Sequence, residues 1–396
     1  MATVVLVHER YQQQGGEDVV VDADAALLEA RGHRVVHHER HNDEIEDLGP
    51  AGRAAVAARA VWSRPAVRAL GAVLDETQPD IVHVHNTFPL LSPAIYRAAS
   101  KRGIPVVQTV HNYRMQCAIS SFQRDGRPCH DCVGRRLPLP AIRHACYHDS
   151  RVESGVVVAM QVTHRVAGTW DRHVDLYLPV SEHVRERLVG AGAFSAERSM
   201  VRRNHLSPDP GARSDGSDQG YVAYTGRLSV EKGLATLVEA AALAPEVEVR
   251  IAGDGPLRAE LEARAAALGL QNVHFLGRLT RDAAMDLVRT ARCVVIPSTC
   301  EEAMSLALIE ALALGVPLVA TDVGGNPEGV DEEDGCLVPP GDATALAGAL
   351  RTAAGDPVTW QAKGRAARRR FERDFSADHA YEQLQIAYAR VGVDLG

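Results

Sequence analysis

Short apolar runs alternate with longer segments whose apolar residues recur at helical spacing, over most of the 396-residue chain. Alternation of this kind predicts parallel sheets whose faces are covered by helices. In the first half, a helix is predicted at 17–31, ending at Gly32, and Ser181 is a favourable N-cap for a later helix. The strands predicted in this half are 3–8, 34–38, 81–85, 106–110 and 176–180.

Residues 207–220 are rich in proline, serine, aspartate and glycine and form the best candidate linker in the sequence. After this linker, strands are predicted at 221–224, 247–252, 273–276, 293–297 and 317–321, and helices at 233–244, 256–268, 280–290 and 304–314. Asp342 and Ser376 are predicted to cap two further helices. The predicted fold class is therefore α/β, with two doubly wound Rossmann-like domains facing each other across a cleft lined by strand carboxyl ends.

Composition excludes several classes of function. With a net charge of −8 and 5% aromatic residues, the chain lacks the basic, aromatic surface typical of nucleic-acid-binding proteins. No apolar run reaches the ~18 residues that span a bilayer, and the first strand begins almost at once, so we expect a cytoplasmic protein. A helix-spaced basic cluster is interpreted as a solvated helix face, with peripheral membrane contact left open. Its members are Arg365, Arg368, Arg369, Arg370 and Arg373.

Two glutamates, Glu302 and Glu310, follow the strand predicted at 293–297. Glu302 is predicted at the strand's carboxyl end, exposed beside the N-terminus of the next helix, where ligands bind in open α/β sheets. A simple interaction with the helix dipole is the alternative for this residue. Glu310 is predicted two turns into the helix among leucines. A carboxylate in such surroundings requires a partner, and a pair of ligand hydroxyls is one candidate.

Two cations, Arg227 and Lys232, occupy the turn between a predicted strand and the following helix. Fixed cations at this position can neutralise a leaving diphosphate without a divalent metal, although surface loops often carry Arg and Lys without any function. Gly253 and Gly277 end the next two predicted strands. Glycine at such a position permits a tight turn and a close approach of the backbone to a ligand.

The first domain has weaker candidates at its strand ends. Gly15 and Gly16 precede the first helix, so their N–H groups could contact a phosphate or an acceptor. His85 and His111 each end an apolar strand, and an imidazole there can hydrogen-bond a sugar hydroxyl or transfer a proton. A structural role is an equal alternative for His85, and His111 is the stronger candidate.

Two segments have residue spacings found in metal sites. Residues 112–150 interrupt the alternation of elements and contain a Cys-x2-Cys pair, so four thiolates could hold a structural zinc ion. Reduced, unliganded thiols are an equal alternative, and a disulfide is a third. The four cysteines are Cys117, Cys129, Cys132 and Cys146. Asp22 and Asp24 resemble an Asp-x-Asp metal motif, but they lie inside a predicted helix, so we interpret them as a surface feature.

The combination of motifs resembles the retaining glycosyltransferases of family 4, which have the GT-B fold, over nearly the whole chain. The motifs that carry the resemblance are Glu302-x7-Glu310 with Gly315-Val316-Pro317, Arg227-x4-Lys232, Gly15-Gly16 and His111-Asn112-Tyr113-Arg114. One departure is that Ala303-Met304-Ser305 follow the first glutamate, where the family commonly has glycine and an aromatic residue. The pocket for the donor sugar is therefore altered.

The resemblance implies a role for each of these motifs. Glu310 would bind the ribose hydroxyls of a nucleotide sugar, and Glu302 would contact the transferred sugar. Arg227 and Lys232 would hold the diphosphate, and His111 would lie near the reacting carbon. The remaining residues expected to bind the donor are Gly15, Gly16, Gly253, Gly277, Leu279, Ser305 and Leu306.

The sequence thus predicts a retaining glycosyltransferase that moves a sugar from a UDP- or GDP-sugar without a catalytic metal. Its acceptor would be a hydroxyl of a sugar, a natural product or a glycolipid, and no nucleic-acid partner is expected. The alternatives are an epimerase or phosphorylase of the same fold and a non-catalytic nucleotide-sugar-binding protein. The acceptor-binding domain is predicted at 1–206 plus 377–396, with a last helix that returns to it, and the nucleotide-sugar-binding domain at 207–376.

Overall fold

The computed structural model describes residues 1–12, 15–216 and 218–396. The chain divides into two compact units. Unit 1 comprises Met1–Phe122, Cys129–Ser207 and Ala380–Gly396, and unit 2 comprises Gln123–Pro128 and Pro208–His379. The predicted linker, 207–220, begins where the chain passes from unit 1 to unit 2, and Ser217 within it lies outside the described residues.

Unit 1 is built around a parallel sheet. The strands up to residue 179 are β1 (Thr3–Arg10), β2 (Arg34–His41), β3 (Ile81–Val84), β4 (Val106–Val110), β5 (Gln123–Arg124), β6 (Arg127–Pro128) and β7 (Leu176–Pro179). The sheet has the order β2-β1-β3-β4-β7. The strands β5 and β6 form a separate antiparallel hairpin that belongs to unit 2. The four residues of β3 are all buried, as expected for a parallel strand covered on both faces.

Helices connect these strands. They are α1 (Gly16–Ala30), α2 (Pro50–Val61), α3 (Arg64–Thr77), α4 (Tyr96–Ser100), α5 (Leu139–Arg143), α6 (Arg151–Val166), α7 (Thr169–His173) and α8 (Glu182–Gly190). The predicted N-cap is confirmed, because the Ser181 hydroxyl accepts a hydrogen bond from the Val184 N–H. Helix α2 lies outside the predicted elements, since its alanine-rich sequence has few large apolar residues to mark a helical period.

Unit 2 contains a second parallel sheet. Its strands are β8 (Val222–Thr225), β9 (Val249–Ala252), β10 (Val273–Gly277), β11 (Cys293–Ile296), β12 (Leu318–Thr321) and β13 (Gly335–Val338). The helices after residue 207 are α9 (Leu234–Leu243), α10 (Arg258–Ala267), α11 (Arg281–Arg289), α12 (Leu306–Leu314), α13 (Asn326–Gly329), α14 (Ala343–Gly355), α15 (Pro357–Asp374) and α16 (Ala377–Ala389). The side chains of Asp342 and Ser376 accept N-cap hydrogen bonds for α14 and α16, as predicted.

The order of the second sheet is β10-β9-β8-β11-β12-β13, so the direction of the strand order reverses between β8 and β11. This is the order of a dinucleotide-binding Rossmann sheet, in which ligands bind at the carboxyl ends of the strands beside the reversal. The predicted fold class of two Rossmann-like parallel-sheet domains is confirmed. A ligand site is therefore expected among the residues that follow β8 and β11.

The basic cluster on α15 is only partly solvated. Arg365 and Arg373 are 54% and 63% exposed, as the interpretation requires. The interpretation is wrong for Arg368 and Arg370, which are 18% and 14% exposed. Each is covered because it forms ion pairs within unit 2, Arg368 with Asp209 and Glu372, and Arg370 with Asp331 and Asp334.

Within the described ranges, no helix combines the length and the apolar character needed to cross a bilayer.

Candidate functional site

The centre of the site in unit 2 is an ion pair between the segments that follow β8 and β11. The Lys232 ammonium lies 2.6 Å from Glu302 Oε1, and the Ser298 hydroxyl donates to the same oxygen at 2.6 Å. The sequence predicts Lys232 and Glu302 as site residues but gives no indication of their direct contact. Ser298 is a further member of the site that sequence reasoning missed, because an isolated serine after a strand has no distinguishing pattern.

Both members of this pair are charged. Burial opposes ionisation of Lys232, but the adjacent Glu302 carboxylate raises the pKa of the ammonium above its usual value. Burial likewise opposes ionisation of Glu302, and Lys232 and the Ser298 hydroxyl keep the pKa of its carboxyl below normal. The prediction that Glu302 is exposed is wrong, since its side chain is only 11% exposed. The pair is therefore a partly buried ion pair and not a solvent-exposed surface contact.

Glu310 lies on α12, as predicted, and is half-buried. Among the described residues its carboxylate has no hydrogen-bond or ion-pair partner, although the charge of Arg281 acts on it. Burial raises the pKa of this carboxyl, and Arg281 opposes that effect. A half-buried carboxylate without a direct partner is able to accept hydrogen bonds from two neighbouring ligand hydroxyls.

The start of α12 adds hydrogen-bond donors. Ser305 is its N-cap but makes no side-chain cap hydrogen bond. The N–H groups of Leu306 and Ala307 precede the first intrahelical bond, which Ile309 donates to the Ser305 carbonyl. Free N–H groups and the positive end of the helix dipole favour an anion at this position.

Two glycines allow the segments around the site to approach each other closely. A Cβ on Gly253, where φ is +144°, would lie 1.8 Å from the Gly226 carbonyl oxygen. A Cβ on Gly324, where φ is +64°, would lie 2.4 Å from the carbonyl oxygen of Glu302. That same carbonyl accepts a hydrogen bond from Gly325 N–H at 2.7 Å. The Gly324-Gly325 pair thus holds the backbone of Glu302, and the sequence analysis missed it.

The other predicted residues of unit 2 lie on neighbouring turns. Arg227 is exposed and forms no ion pair with another described residue. The Gly253 N–H donates to the carbonyl of Gly277 at 2.8 Å, which joins the turns after β9 and β10. Leu279, two residues beyond Gly277, is half-buried. The carboxyl edge of this sheet therefore carries a free cation, an ion pair and a free carboxylate.

In unit 1, the turn before α1 gathers polar groups around Glu17. Gly15 is the N-cap of α1, and its N–H donates to Asp18 Oδ2 at 2.6 Å, while Gly16 begins the helix. The Glu17 carboxylate accepts from Asn112 Nδ2 at 2.6 Å and from the Tyr11 hydroxyl at 2.9 Å. Asn112 directly follows His111, so the turn after β4 and the start of α1 meet at this edge of the sheet.

His111 is 9% exposed, and its Nε2 atom lies 3.0 Å from Nδ1 of the buried His85. Burial lowers the pKa of both imidazoles, most strongly that of His85. Behind His85 lies Asp24, whose interpretation as a surface feature is wrong. Asp24 is fully buried in α1 and accepts hydrogen bonds from Arg202 at 2.9 and 2.5 Å, whereas Asp22 is exposed.

The four cysteines of the 112–150 segment, all within the described residues, are half-buried and form no disulfide. Burial raises the pKa of Cys132 to about 11, the backbone hydrogen bond with Ala141 opposes this effect, and the other three thiols add smaller increases. No group of three or more His, Cys, Asp or Glu side chains among the described residues is arranged to hold a metal. The structure therefore does not show the predicted zinc site.

Two family models cover most of the chain. A model described as "Glycosyltransferase Family 4" matches residues 14–205, and one described as "Glycosyl transferases group 1" matches residues 212–370. The O-antigen chain mannosyltransferase C of Escherichia coli is 34% identical over 171 residues, which are 42% of this chain and 46% of the relative. This chain thus spans less than half the length of that relative.

A longer match joins the two regions. The D-inositol 3-phosphate glycosyltransferase of Mycolicibacterium vanbaalenii is 36% identical over 336 residues, which cover 80% of this chain and 68% of the relative. Among solved structures, Anabaena HepE in complex with UDP superposes with a TM-score of 0.70 at 19% identity, covering 98% of this chain and 100% of HepE. Similarity at this level of identity concerns the fold.

Proposed function

Because the chain belongs to glycosyltransferase family 4 and has the GT-B fold, we propose that it transfers a sugar from a nucleoside diphosphate donor to an acceptor hydroxyl, with retention at the anomeric carbon. The observation that carries the proposal is the arrangement at the carboxyl edge of the unit 2 sheet. There the Lys232–Glu302 pair, the free Arg227 cation and the free Glu310 carboxylate follow strands of one parallel sheet. The solved structure of HepE, which has the same fold, contains UDP.

Each group has a role in binding the donor. Glu310 accepts hydrogen bonds from the two ribose hydroxyls, because its carboxylate is half-buried and lacks another direct partner. Arg227 and Lys232 neutralise the diphosphate, aided by the N–H groups at the start of α12. Glu302, held by Lys232 and Ser298, accepts hydrogen bonds from the transferred sugar. Gly253, Gly277 and Leu279 lie beside the nucleobase.

Two fixed cations supply the charge stabilisation that a leaving diphosphate needs, so no catalytic metal is part of the proposal. The acceptor oxygen attacks the anomeric carbon while the bond from that carbon to the diphosphate oxygen breaks. The diphosphate keeps the electron pair of the broken bond and takes the proton of the acceptor hydroxyl. Attack and departure on one face retain the anomeric configuration. His111 interacts with a substrate hydroxyl near the reacting carbon, and the Gly15-Gly16 turn contacts phosphate or acceptor.

The acceptor in this proposal is a hydroxyl of a sugar, a natural product or a glycolipid, and the reaction takes place in the cytoplasm. An epimerase or phosphorylase of the same fold is the main alternative. Incubation with donor alone separates an epimerase from a transferase, because an epimerase converts the donor without an acceptor. A non-catalytic binding protein is disfavoured, because Arg227, Lys232, Glu302 and Glu310 are all present.

A thermal-shift screen against UDP-, GDP-, ADP- and dTDP-sugars tests the proposal. A donor that binds the native protein raises its melting temperature by several degrees at saturation. The shift should be smaller in Glu310→Ala and unchanged in Glu239→Ala, because Glu239 is a glutamate of unit 2 with a 44% exposed side chain that pairs with Arg264. Absence of a shift with every donor, or an unchanged shift in Glu310→Ala, contradicts the proposal.

We propose separately that the 112–150 segment binds a structural zinc ion. Its ligands would be Cys117, Cys129, Cys132 and Cys146. The support is in the sequence, because the four cysteines are confined to one segment with a Cys-x2-Cys pair, and four thiolates can form a tetrahedral zinc site. Elemental analysis of purified protein should find about one zinc per chain in wild type and none in Cys129→Ser/Cys132→Ser. Equal zinc content and equal melting temperature in the two proteins would remove the zinc proposal.

A further inference from the structure

A row of buried side chains in unit 1 leads away from His111. His111 Nε2 lies 3.0 Å from His85 Nδ1, and His85 Nε2 on the opposite side of that ring lies 3.6 Å from Asp24 Oδ2. Asp24 in turn accepts two hydrogen bonds from the guanidinium of Arg202. The side chains of His85, Asp24 and Arg202 are at most 1% exposed. The roles assigned above leave three of these four residues unused.

The charged end of the row is fixed. Burial opposes ionisation of Asp24, but the Arg202 guanidinium and the neighbouring His205 keep the pKa of its carboxyl below the usual value. Arg202 is anchored through its own backbone, because its N–H donates to the Pro179 carbonyl at the end of β7. A paired, ionised carboxylate therefore faces His85.

The imidazole rings between Asp24 and the edge of the sheet are neutral. Burial lowers the pKa of His85 well below its normal range, and the charges of His83, His111, His8 and Arg202 act in the same direction. For His111, burial, His8 and Arg202 lower the pKa, while Glu17 and Asp24 oppose them. The rings of His85 and His111 stack with centroids 5.3 Å apart, which prevents free rotation. Each neutral ring carries a single N–H, so the contacts decide which nitrogen holds it.

The carboxylate selects one arrangement of these protons. At 3.6 Å the contact between His85 Nε2 and Asp24 is longer than a hydrogen bond, and Nε2 has no hydrogen-bond partner among the described residues. In a buried environment a negative oxygen at this distance still favours N–H over a lone pair. Protonated Nε2 leaves Nδ1 of His85 as an acceptor. His111 Nε2 must then be the donor across the 3.0 Å contact, and its Nδ1 has a free lone pair.

We propose that Asp24 is a positioning residue that, acting through His85, holds His111 in the tautomer with Nε2 protonated and Nδ1 free to accept a hydrogen bond from a substrate hydroxyl. This inference rests on the proposed transferase function for the identity of the hydroxyl, but the tautomer itself follows from the contacts in unit 1. In other histidines, a carboxylate that accepts a hydrogen bond from one ring nitrogen fixes the tautomer of the imidazole. Here the imidazole of His85 lies between the carboxylate and His111, so Asp24 acts on the His111 tautomer indirectly.

Nuclear magnetic resonance of protein labelled with ¹⁵N in the histidine rings tests the tautomer directly, without activity. The His111 signals are identified by comparison with His111→Gln. At a pH of about 7.5, we expect Nε2 of His111 to carry the proton and Nδ1 to be unprotonated. Asp24→Asn should shift His111 toward a mixture of tautomers. A wild-type His111 protonated at Nδ1 overturns the proposal whether or not the enzyme is a transferase.

Activity provides the second test, with His85→Met as the main variant because it keeps an apolar volume beside the intact Asp24–Arg202 pair. We expect its kcat to fall about 10–100-fold, because misplacing a positioned group by about 1 Å can cost ~10²-fold, and the donor KM should stay within about twofold. His85→Asn should have a higher kcat than His85→Met, because the asparagine side-chain oxygen can replace His85 Nδ1 as the acceptor of the hydrogen bond from His111 Nε2. His164→Met is the matched control, since His164 is an equally buried histidine of unit 1 that bonds Thr169 and the Val61 carbonyl instead.

Equal kcat values for His85→Met and His164→Met, with equal melting temperatures, overturn the positioning role. So does equal loss in His85→Asn and His85→Met, because a merely structural defect would not respond to the acceptor atom. Should wild-type protein transfer sugar from none of the donors, the proposed function fails, and the ring spectra still decide the tautomer.

Discussion

Among single residues, the Lys232–Glu302 ion pair joins the cation proposed to bind the diphosphate to the carboxylate proposed to bind the transferred sugar. Glu302 is 11% exposed, so removing Lys232 leaves a largely covered carboxylate without its cation. Arg227 differs, because it is exposed and has no ion pair with another described residue. We therefore expect the loss of either cation to weaken diphosphate binding, and only the loss of Lys232 to destabilise unit 2 as well.

We predict that Arg227→Ala and Lys232→Ala each weaken binding of a nucleoside diphosphate about tenfold or more, because a charge-assisted hydrogen bond contributes about 1.5–3 kcal/mol. Binding of the corresponding nucleoside should change little. Lys232→Ala alone should lower the melting temperature. Calorimetric titration of both ligands measures this, with Arg264→Ala as a control at an exposed pair of unit 2. Equal losses for nucleoside and diphosphate would contradict the assignment of these cations.

Sequence reasoning at this scale identifies residue types and their places along strands, but not the direction of each side chain. It places Glu302 at a strand end and still describes it as exposed, because its contact with Lys232 spans 70 residues of sequence. It dismisses Asp24 because helical spacing alone does not reveal a partner as distant as Arg202. Burial of a charge depends on partners that the fold supplies.

At the scale of elements, the turns after the strands of unit 2 are held together by backbone contacts that exclude side chains. The Gly253 N–H donates a hydrogen bond to the Gly277 carbonyl. The Cα of Gly253 also lies so close to the Gly226 carbonyl that a Cβ on Gly253 would overlap the carbonyl oxygen. The sequence predicts the turns at Gly253 and Gly277, because each glycine follows an apolar strand. The strand β13 (Gly335–Val338) and helix α6 (Arg151–Val166) are not predicted, because β13 has only four residues and α6 directly follows the irregular segment 112–150.

Gly253→Ala is predicted to lower the free energy of unfolding of unit 2 by about 2 kcal/mol or more, because the added Cβ forces the backbone apart. A Cβ on Gly269, where φ is +68°, would contact no other atom. Gly269→Ala should therefore lower the free energy of unfolding by only about 1–2 kcal/mol, which is what a left-handed backbone costs alanine. Gly348→Ala, exposed within α14, should stabilise by about 0.5–1 kcal/mol. Urea denaturation orders the three variants, and a Gly253→Ala protein as stable as wild type would show that the turn is not tight.

At the scale of the whole molecule, the buried histidines are unevenly distributed. His83, His85, His111 and His205 lie in unit 1, and the described part of unit 2 has no buried histidine. Burial is the largest cause that lowers the pKa of each, to about 3 for His83 and about 4 for His205. When the pKa of a histidine is lower in the folded than in the unfolded state, the free energy of unfolding is highest above about pH 6.5, the unfolded pKa. It then decreases as the pH falls toward the pKa of the folded state.

We therefore predict that acid loosens unit 1 before unit 2. Hydrogen–deuterium exchange at pH values of about 7.5 and 5, corrected for the intrinsic exchange rate, should show reduced protection in β3 and β4 at the lower pH. Protection of β11 and α12 should change little. The expected slope is about 1.4 kcal/mol per pH unit for each histidine that must protonate on unfolding. Equal loss of protection in the two units would contradict the assignment of acid sensitivity to these histidines.

The proposed function requires unit 2 to bind a nucleoside diphosphate through Glu310 without a metal. Calorimetric titration in the presence of EDTA tests it most directly, with the nucleoside diphosphate whose sugar gives the largest thermal shift. Wild type and Glu239→Ala should bind one nucleotide per chain with equal affinity, and Glu310→Ala should bind about tenfold or more weakly. No binding by wild type in EDTA, or equal affinity for Glu310→Ala and Glu239→Ala, would contradict metal-independent binding through Glu310.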